Sequence, residues 1–318
     1  MESPFFDRAA SGATVIKQSL RVITTFPILL LPIFICWVFW AAGTLYFEYR
    51  FPWQMYSLSA RLLFAFLIIT GFTLLYSIAA FMLLEFLQQL ERGRPFSSSR
   101  AIGKTIFRDI PMALPIILIW AFIDFLLMVI NAVVSSLSRD EEGDEEGDEQ
   151  FTLESAAKTL AGYDDFSLWN LTIGAMEKGI RMITFLIFPA IAWESISPFK
   201  AIKKGFGVLK AHPVEFVSGY VTTLSAAVII FLPPGLLFYL SDKFHWKVPD
   251  PVWVVTIIYC GIGWSFYLYL EQTFTALLYL WNMKWEKEVL LAEKEGRPTL
   301  SLQDVRQPSF LDNIADLN

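Results

Sequence analysis

A chain of 318 residues that is 55% hydrophobic and only 18% charged, with a mean hydropathy of +0.50, lies outside the composition of a soluble domain, in which roughly a quarter of residues are charged. The net charge of −6 misleads as a global figure, because residues 140–149 (DEEGDEEGDE) hold eight acids; nothing in the balance points to nucleic acid. Cys36 and Cys260 each sit inside an apolar run and read as small buried hydrophobes, which excludes a disulfide framework or a thiol metal pair.

The apolar residues cluster into runs close to the ~20 residues that a helix needs to cross ~30 Å of hydrocarbon. Lipid offers backbone groups no partners, so such runs have to be helical. Charges through Arg21 and the lack of a small-residue cleavage site predict no removable signal peptide. Spans are predicted over 26–47, 62–84 with a helical extension to Leu90, and 112–134. The fourth is less clear: its clean apolar part, 182–193, covers only about 18 Å. It crosses only if the helix begins near Phe166 and carries Lys178 and Arg181 with it. Residues 140–149 read as a solvated acidic loop lacking the spacing of a calcium loop, with a short helix over 151–165. The last two spans are 216–240, interrupted by Leu232-Pro233-Pro234-Gly235, and 252–281. Two prolines there predict a kink or break, which serves either packing or a binding site.

Basic residues set the orientation. Arg92, Arg94, Arg100, Lys104 and Arg108 fill the connection between spans two and three, and Lys200, Lys203, Lys204 and Lys210 that between four and five. The connections on the other face hold two each, Arg50 with Arg61 and Arg139 with Lys158. Both termini are therefore expected in the cytoplasm of a cell (inner or plasma) membrane protein, with the acidic run outside. Trp53, Trp246 and Trp253 are expected at the outer boundary, and Trp193, Trp281 and Trp285 at the inner one, as aromatic belts.

The two inner connections resemble each other. Glu91 precedes Pro95-Phe96 by four residues and Glu194 precedes Pro198-Phe199 by four; each stretch then ends at a proline that opens the next span, Pro111 or Pro213. IKQSLRVITTFP, ending at Pro27, is a weaker third copy. The pattern predicts three tandem units of an interfacial helix plus a helical hairpin, although basic helices and entry prolines also recur without duplication. IKQSLRVITTFPILLLPI and ESISPFKAIKKGFGVLKAHP resemble a poorly characterised group of six-span bacterial and archaeal membrane proteins, which includes the membrane domain fused to some glycerophosphodiester phosphodiesterases. The likeness covers about residues 10–285. It implies a fold and a membrane but carries over no catalytic residues.

Three ionisable side chains fall inside predicted spans: Asp124, Arg181 and Glu271. Each lies 13 residues, or about 20 Å, from the inner end of its span. Such groups cost several kcal/mol unless paired or hydrated. They form a polar site for a proton, ion or headgroup, or a structural salt bridge, or Arg181 snorkels outward. The basic inner helices either attract anionic lipid or only set topology. His212 and His245 fall on opposite sides, which offers no metal site, and no HExxH, G-x-S-x-G or complete phosphate loop occurs.

The reading is an all-α integral membrane protein of about six transmembrane helices. A transmembrane domain, 1–285 with its outer loop at 139–165, precedes a cytoplasmic tail, 286–318, that binds a partner or frays. The expected role is non-enzymatic and cofactor-free: a membrane component interacting with lipids or with membrane-protein partners. The alternative is a transporter for a small solute or lipid that uses Asp124, Arg181 and Glu271. A cysteine placed at Ser98 is expected to resist a membrane-impermeant thiol reagent in intact cells; its labelling from outside would reverse the predicted orientation.

Overall fold

The computed structural model describes residues 14, 17–139, 151–161, 168–298, 300–308 and 310; the acidic run 140–149 and Phe166 lie outside them. The chain is an all-α multi-pass membrane protein, with no strand among the described residues. In chain order the helices are α1 (17–25), α2 (Leu31–Tyr49), α3 (Leu58–Glu91), α4 (Ser98–Lys104), α5 (Ile110–Arg139), α6 (Leu153–Ala161), α7 (Leu168–Glu194), α8 (Pro198–Ala211), α9 (Pro213–Phe244) and α10 (Asp250–Lys294).

Among the described residues, five stretches are long and apolar enough to cross a membrane: Pro27–Tyr49, Leu58–Glu91, Ser98–Val134, Pro213–Phe244 and Asp250–Lys294. The 27-residue α7 has the length, about 40 Å, but carries Glu177, Lys178 and Arg181 and so is not among them. It nevertheless packs against α3, α5 and α10. Its Lys178 is level with Thr223 of α9 and Glu271 of α10. Its last residue, Glu194, meets Tyr279 of α10 and Lys204 of α8 at the basic end. At the opposite end α6 lies across α9 and α10, with Ala157 packed on Phe238 and Trp253. Lys158 ties it to α9 through Asp242 at 2.6 Å and meets Glu154 of its own helix at 3.1 Å. Burial alone would lower the Lys158 pKa, but these carboxylates outweigh it and raise the value.

The central helix is α10. Every residue from Tyr267 to Asn282 is buried, so this stretch has no lipid-facing side. Helices pack on it closely where side chains are missing. A Cβ on Gly219 of α9 would lie 2.0 Å from the Phe274 ring, and one on Gly261 would lie 2.5 Å from Trp37 of α2. Small residues serve membrane helices in this way because apolar surface gains little by leaving lipid, whereas close backbone approach gains dispersion contacts.

Of the kink or break expected at Pro233-Pro234, the break does not occur: α9 continues through both prolines. Pro234 has no N–H for the carbonyl of Ile230, four residues earlier, and the Tyr259 hydroxyl of α10 donates to that oxygen at 2.9 Å. A neighbouring helix thus supplies the donor that the proline lacks, as membrane helices require.

At the basic end, the three junctions between surface helix and span differ. Phe26 (φ −131°, ψ 73°) precedes Pro27 and His212 (φ −130°, ψ 53°) precedes Pro213, so the chain makes nearly the same turn twice. Proline disfavours the α region for the residue before it, which accounts for both. Ile110 before Pro111 stays helical, and a π-helical turn over Thr105–Asp109 joins α4 to α5 instead. Glu91 and Glu194 each end a helix, α3 and α7. Pro95 stands two residues before the N-cap Ser97 of α4, whereas Pro198 follows the N-cap Ser197 of α8. Seven residues beyond each cap, Lys104 pairs with Glu85 of α3 and Lys204 with Glu194 of α7, the latter at 2.6 Å.

The last helix extends past 286 to Lys294, and residues 300–308 and 310 return to the bundle. Trp281 Nε1 donates to Val305 O at 2.9 Å and Trp285 Nε1 to Leu300 O at 2.8 Å, while Leu302, Val305 and Phe310 are buried in the main core. Ser301 and Asp304 cap each other in the intervening turn, and the Ser301 contacts hold the Asp304 carboxyl below its usual pKa. Two expected belt tryptophans are therefore internal: Trp281 lies beneath this segment, and Trp253 beneath α6. Tyr259→Phe is expected to cost about 1 kcal/mol in detergent-solubilised unfolding, the size of one lost hydrogen bond; an unchanged melting point would mean that Ile230 O has another donor.

Candidate functional site

Glu271 sits at 0% exposure in the fully enclosed part of α10. Lys178 and Arg181 lie three residues apart on α7, which places them on one helix face. Lys178 Nζ reaches Glu271 Oε1 at 2.7 Å, and Arg181 Nε reaches Oε2 at 2.7 Å, with Nη2 at 3.2 Å from Oε1. The carboxylate thus accepts from two cations at once, the arginine contact being two-pronged.

The remaining donors of Lys178 are also met, and Arg181 shares one of their acceptors. Lys178 Nζ donates to Thr223 Oγ1 of α9 at 2.9 Å and to Tyr267 OH at 3.0 Å; Arg181 Nη2 donates to the same phenol at 2.9 Å. Tyr267 lies one turn before Glu271 on α10, so both face α7. The ammonium also stands 4.8 Å from the centroid of the Tyr267 ring and 5.0 Å from that of Tyr220. An ammonium has three protons, and all three of Lys178's are used within 3.0 Å. At 3% exposure it is sealed inside α7, α9 and α10, whereas Arg181 keeps 21% exposure.

The structure therefore brings Arg181 and Glu271 into direct contact and adds Lys178. Asp124 does not join the ion pairs. Its carboxylate and that of Glu177 lie within electrostatic range of Arg181, at the seam where α5 packs on α7. Asp124 Oδ1 is buried, and no donor among the described residues reaches it. Lys178, Tyr267 and Thr223 were missing from the sequence-derived set. Spacing alone would have found two of them: Lys178 stands three residues from Arg181, and Tyr267 four from Glu271. Thr223 belongs to α9, and no local signal marks it. Asp109, in the π-helical turn, is a further buried carboxylate; its nearest cation, Arg108 Nε, is 4.0 Å away.

Chemically, this cluster holds ions in place. The carboxylate and both cations are in mutual contact, and a ligand entering at Lys178 would displace an existing hydrogen bond. Removing one member leaves an uncompensated buried charge, which costs about 3–5 kcal/mol, whereas replacing the whole set by apolar side chains is often neutral. Glu271→Gln is thus expected to lower stability by about that amount, and Lys178→Met/Arg181→Met/Glu271→Leu to recover most of it, both read by thermal unfolding in detergent. Equal stability of Glu271→Gln and the unmodified chain would remove the cluster from its structural role.

Comparison with protein-family models, curated protein sequences and solved structures finds no match, so what this cluster does rests on its own geometry.

Proposed function

We propose that this chain is a non-enzymatic component of the cell membrane that engages anionic lipid, or a membrane-protein partner, through the basic surface helices α1, α4 and α8. Both termini face the cytoplasm in this reading. The observation that carries it is the pairing of Glu271 with two cations: all three Lys178 protons are used and the carboxylate accepts from Lys178 and Arg181 together, which commits the cluster to holding α7, α9 and α10 in register. The outward faces carry the rest of the case. On α8, Phe199 and Phe206 are exposed together with Lys200, Lys203 and Lys210, and along α4 and the π turn Ile102, Ile106 and Phe107 are exposed with Arg100 and Arg108. Cations interleaved with apolar side chains suit a headgroup boundary, where each basic residue contributes about 1 kcal/mol with anionic lipid.

Three tandem units are part of the same proposal: α1–α2–α3, α4–α5–α7 and α8–α9–α10, each a surface helix followed by a helical hairpin. The shared turn at Phe26 and His212 supports it, as do the matching Lys104 and Lys204 anchors. An even number of crossings, with α7 included, is what keeps both termini on one side. The likeness to the six-span membrane group favours the same fold and adds no activity.

A transporter for a small solute or lipid is the second reading. The partial exposure of Arg181 and the unpartnered Asp124 Oδ1 favour it, because a carboxylate with one oxygen lacking a donor, beside an accessible guanidinium, suits a proton or ion. Proteoliposomes enclosing a pH-sensitive dye separate the two. Under an imposed potassium diffusion potential, the chain is expected to add no proton flux over empty vesicles. Flux that the chain supplies and Asp124→Asn abolishes would replace the first reading with the second.

A further inference from the structure

We propose that a groove between the start of α2 and the middle of α10 seats one acyl chain of an anionic phospholipid, with its phosphate at Lys17 and Arg21. The inference rests on the lipid-engaging reading above and names where a single lipid binds.

The groove has a volume of about 410 Å³ and is lined by Pro27, Ile28, Leu31, Phe34, Ile262 and Ser265. It exists because α10 presents Ser265, small and buried, where a larger residue would close the gap, while Ile28, Leu31 and Ile262 stand half exposed along its rim. The Ser265 hydroxyl donates to Gly261 O at 2.7 Å, so the wall offers an occupant mainly apolar surface. Because these residues lie in stretches apolar enough to span, the surroundings supply an occupant of that kind: a lipid tail.

The charge lies next to it. Tyr269 is one turn beyond Ser265 on α10, about 6 Å closer to the basic end, and its hydroxyl donates to Ser19 O of α1 at 3.1 Å. This bond docks α1 beside the mouth of the groove. The helix buries Ser19, Val22 and Ile23 and leaves Lys17 and Arg21 exposed, and its chain runs through Phe26 directly into Pro27 of the groove wall. Two exposed cations on the helix that leads into the groove wall complement a phosphodiester joined to an acyl chain. They do not complement a peptide helix or a second copy of the apolar face, which would bring no anion to Lys17 and Arg21.

Native mass spectrometry of the full chain, released from detergent with added phosphatidylglycerol or phosphatidylcholine, tests this. The unmodified chain is expected to retain one phosphatidylglycerol in preference to phosphatidylcholine. Lys17→Glu with Arg21→Glu is expected to weaken that retention about tenfold or more at an unchanged melting temperature. Leu31→Trp, which fills the groove from its exposed rim, is expected to abolish retention of both lipids. If retention falls instead with Lys200→Glu and Lys203→Glu on α8, and the α1 pair has no effect, the groove proposal is overturned while the wider lipid reading stands. If none of these variants changes retention, both are overturned, and a chain dimer in place of bound lipid overturns the groove.

Discussion

A carboxylate in the enclosed centre of a membrane bundle has to be neutralised by the helices around it, and Glu271 makes that demand here. Two cations on α7 meet it, a phenol on α10 and a threonine on α9 take the other Lys178 protons, and three helices are thereby fixed in one register. The charged helix α7 is therefore buried in the bundle along most of 182–192. Lipid would penalise Lys178 and Arg181 heavily at that depth; Glu271 makes the position favourable.

Much of the remaining structure follows from enclosing α10. Glycines at 219 and 261 let α9 and α2 approach until aromatic rings touch backbone. At one end α6 covers Trp253, and at the other residues 300–308 and 310 cover Trp281. His212 marks the turn between α8 and α9 and is held by Asn282 of α10 at 2.8 Å, so α8 is anchored to the same central helix. Lys204 reinforces this by gripping Glu194, the residue at which α7 stops. The outer faces of α1, α4 and α8 are left exposed.

The sequence carried most of the fold and part of the site. Run lengths located α2, α3, α5, α9 and α10, because hydrocarbon thickness imposes a length that needs no tertiary information. The fourth span was the uncertain one for a physical reason: Lys178 and Arg181 look prohibitive until Glu271, some ninety residues away, is placed beside them. Pro233-Pro234 read as a kink or break because a proline's missing donor is local, whereas its replacement, Tyr259, comes from another helix. The C-terminal segment read as a tail because Leu302, Val305 and Phe310 follow no helical or strand period; they pack through a turn and two tryptophan hydrogen bonds.

The central claim is that Glu271 and the α7 cations hold each other, and a double-mutant cycle between Glu271 and Lys178 measures it directly. Reversible unfolding of Glu271→Gln, Lys178→Met and the combined variant in bicelles is expected to give a coupling of about 2 kcal/mol or more, in the range of close charge pairs. A coupling indistinguishable from zero, with the two single losses simply adding, would contradict the account.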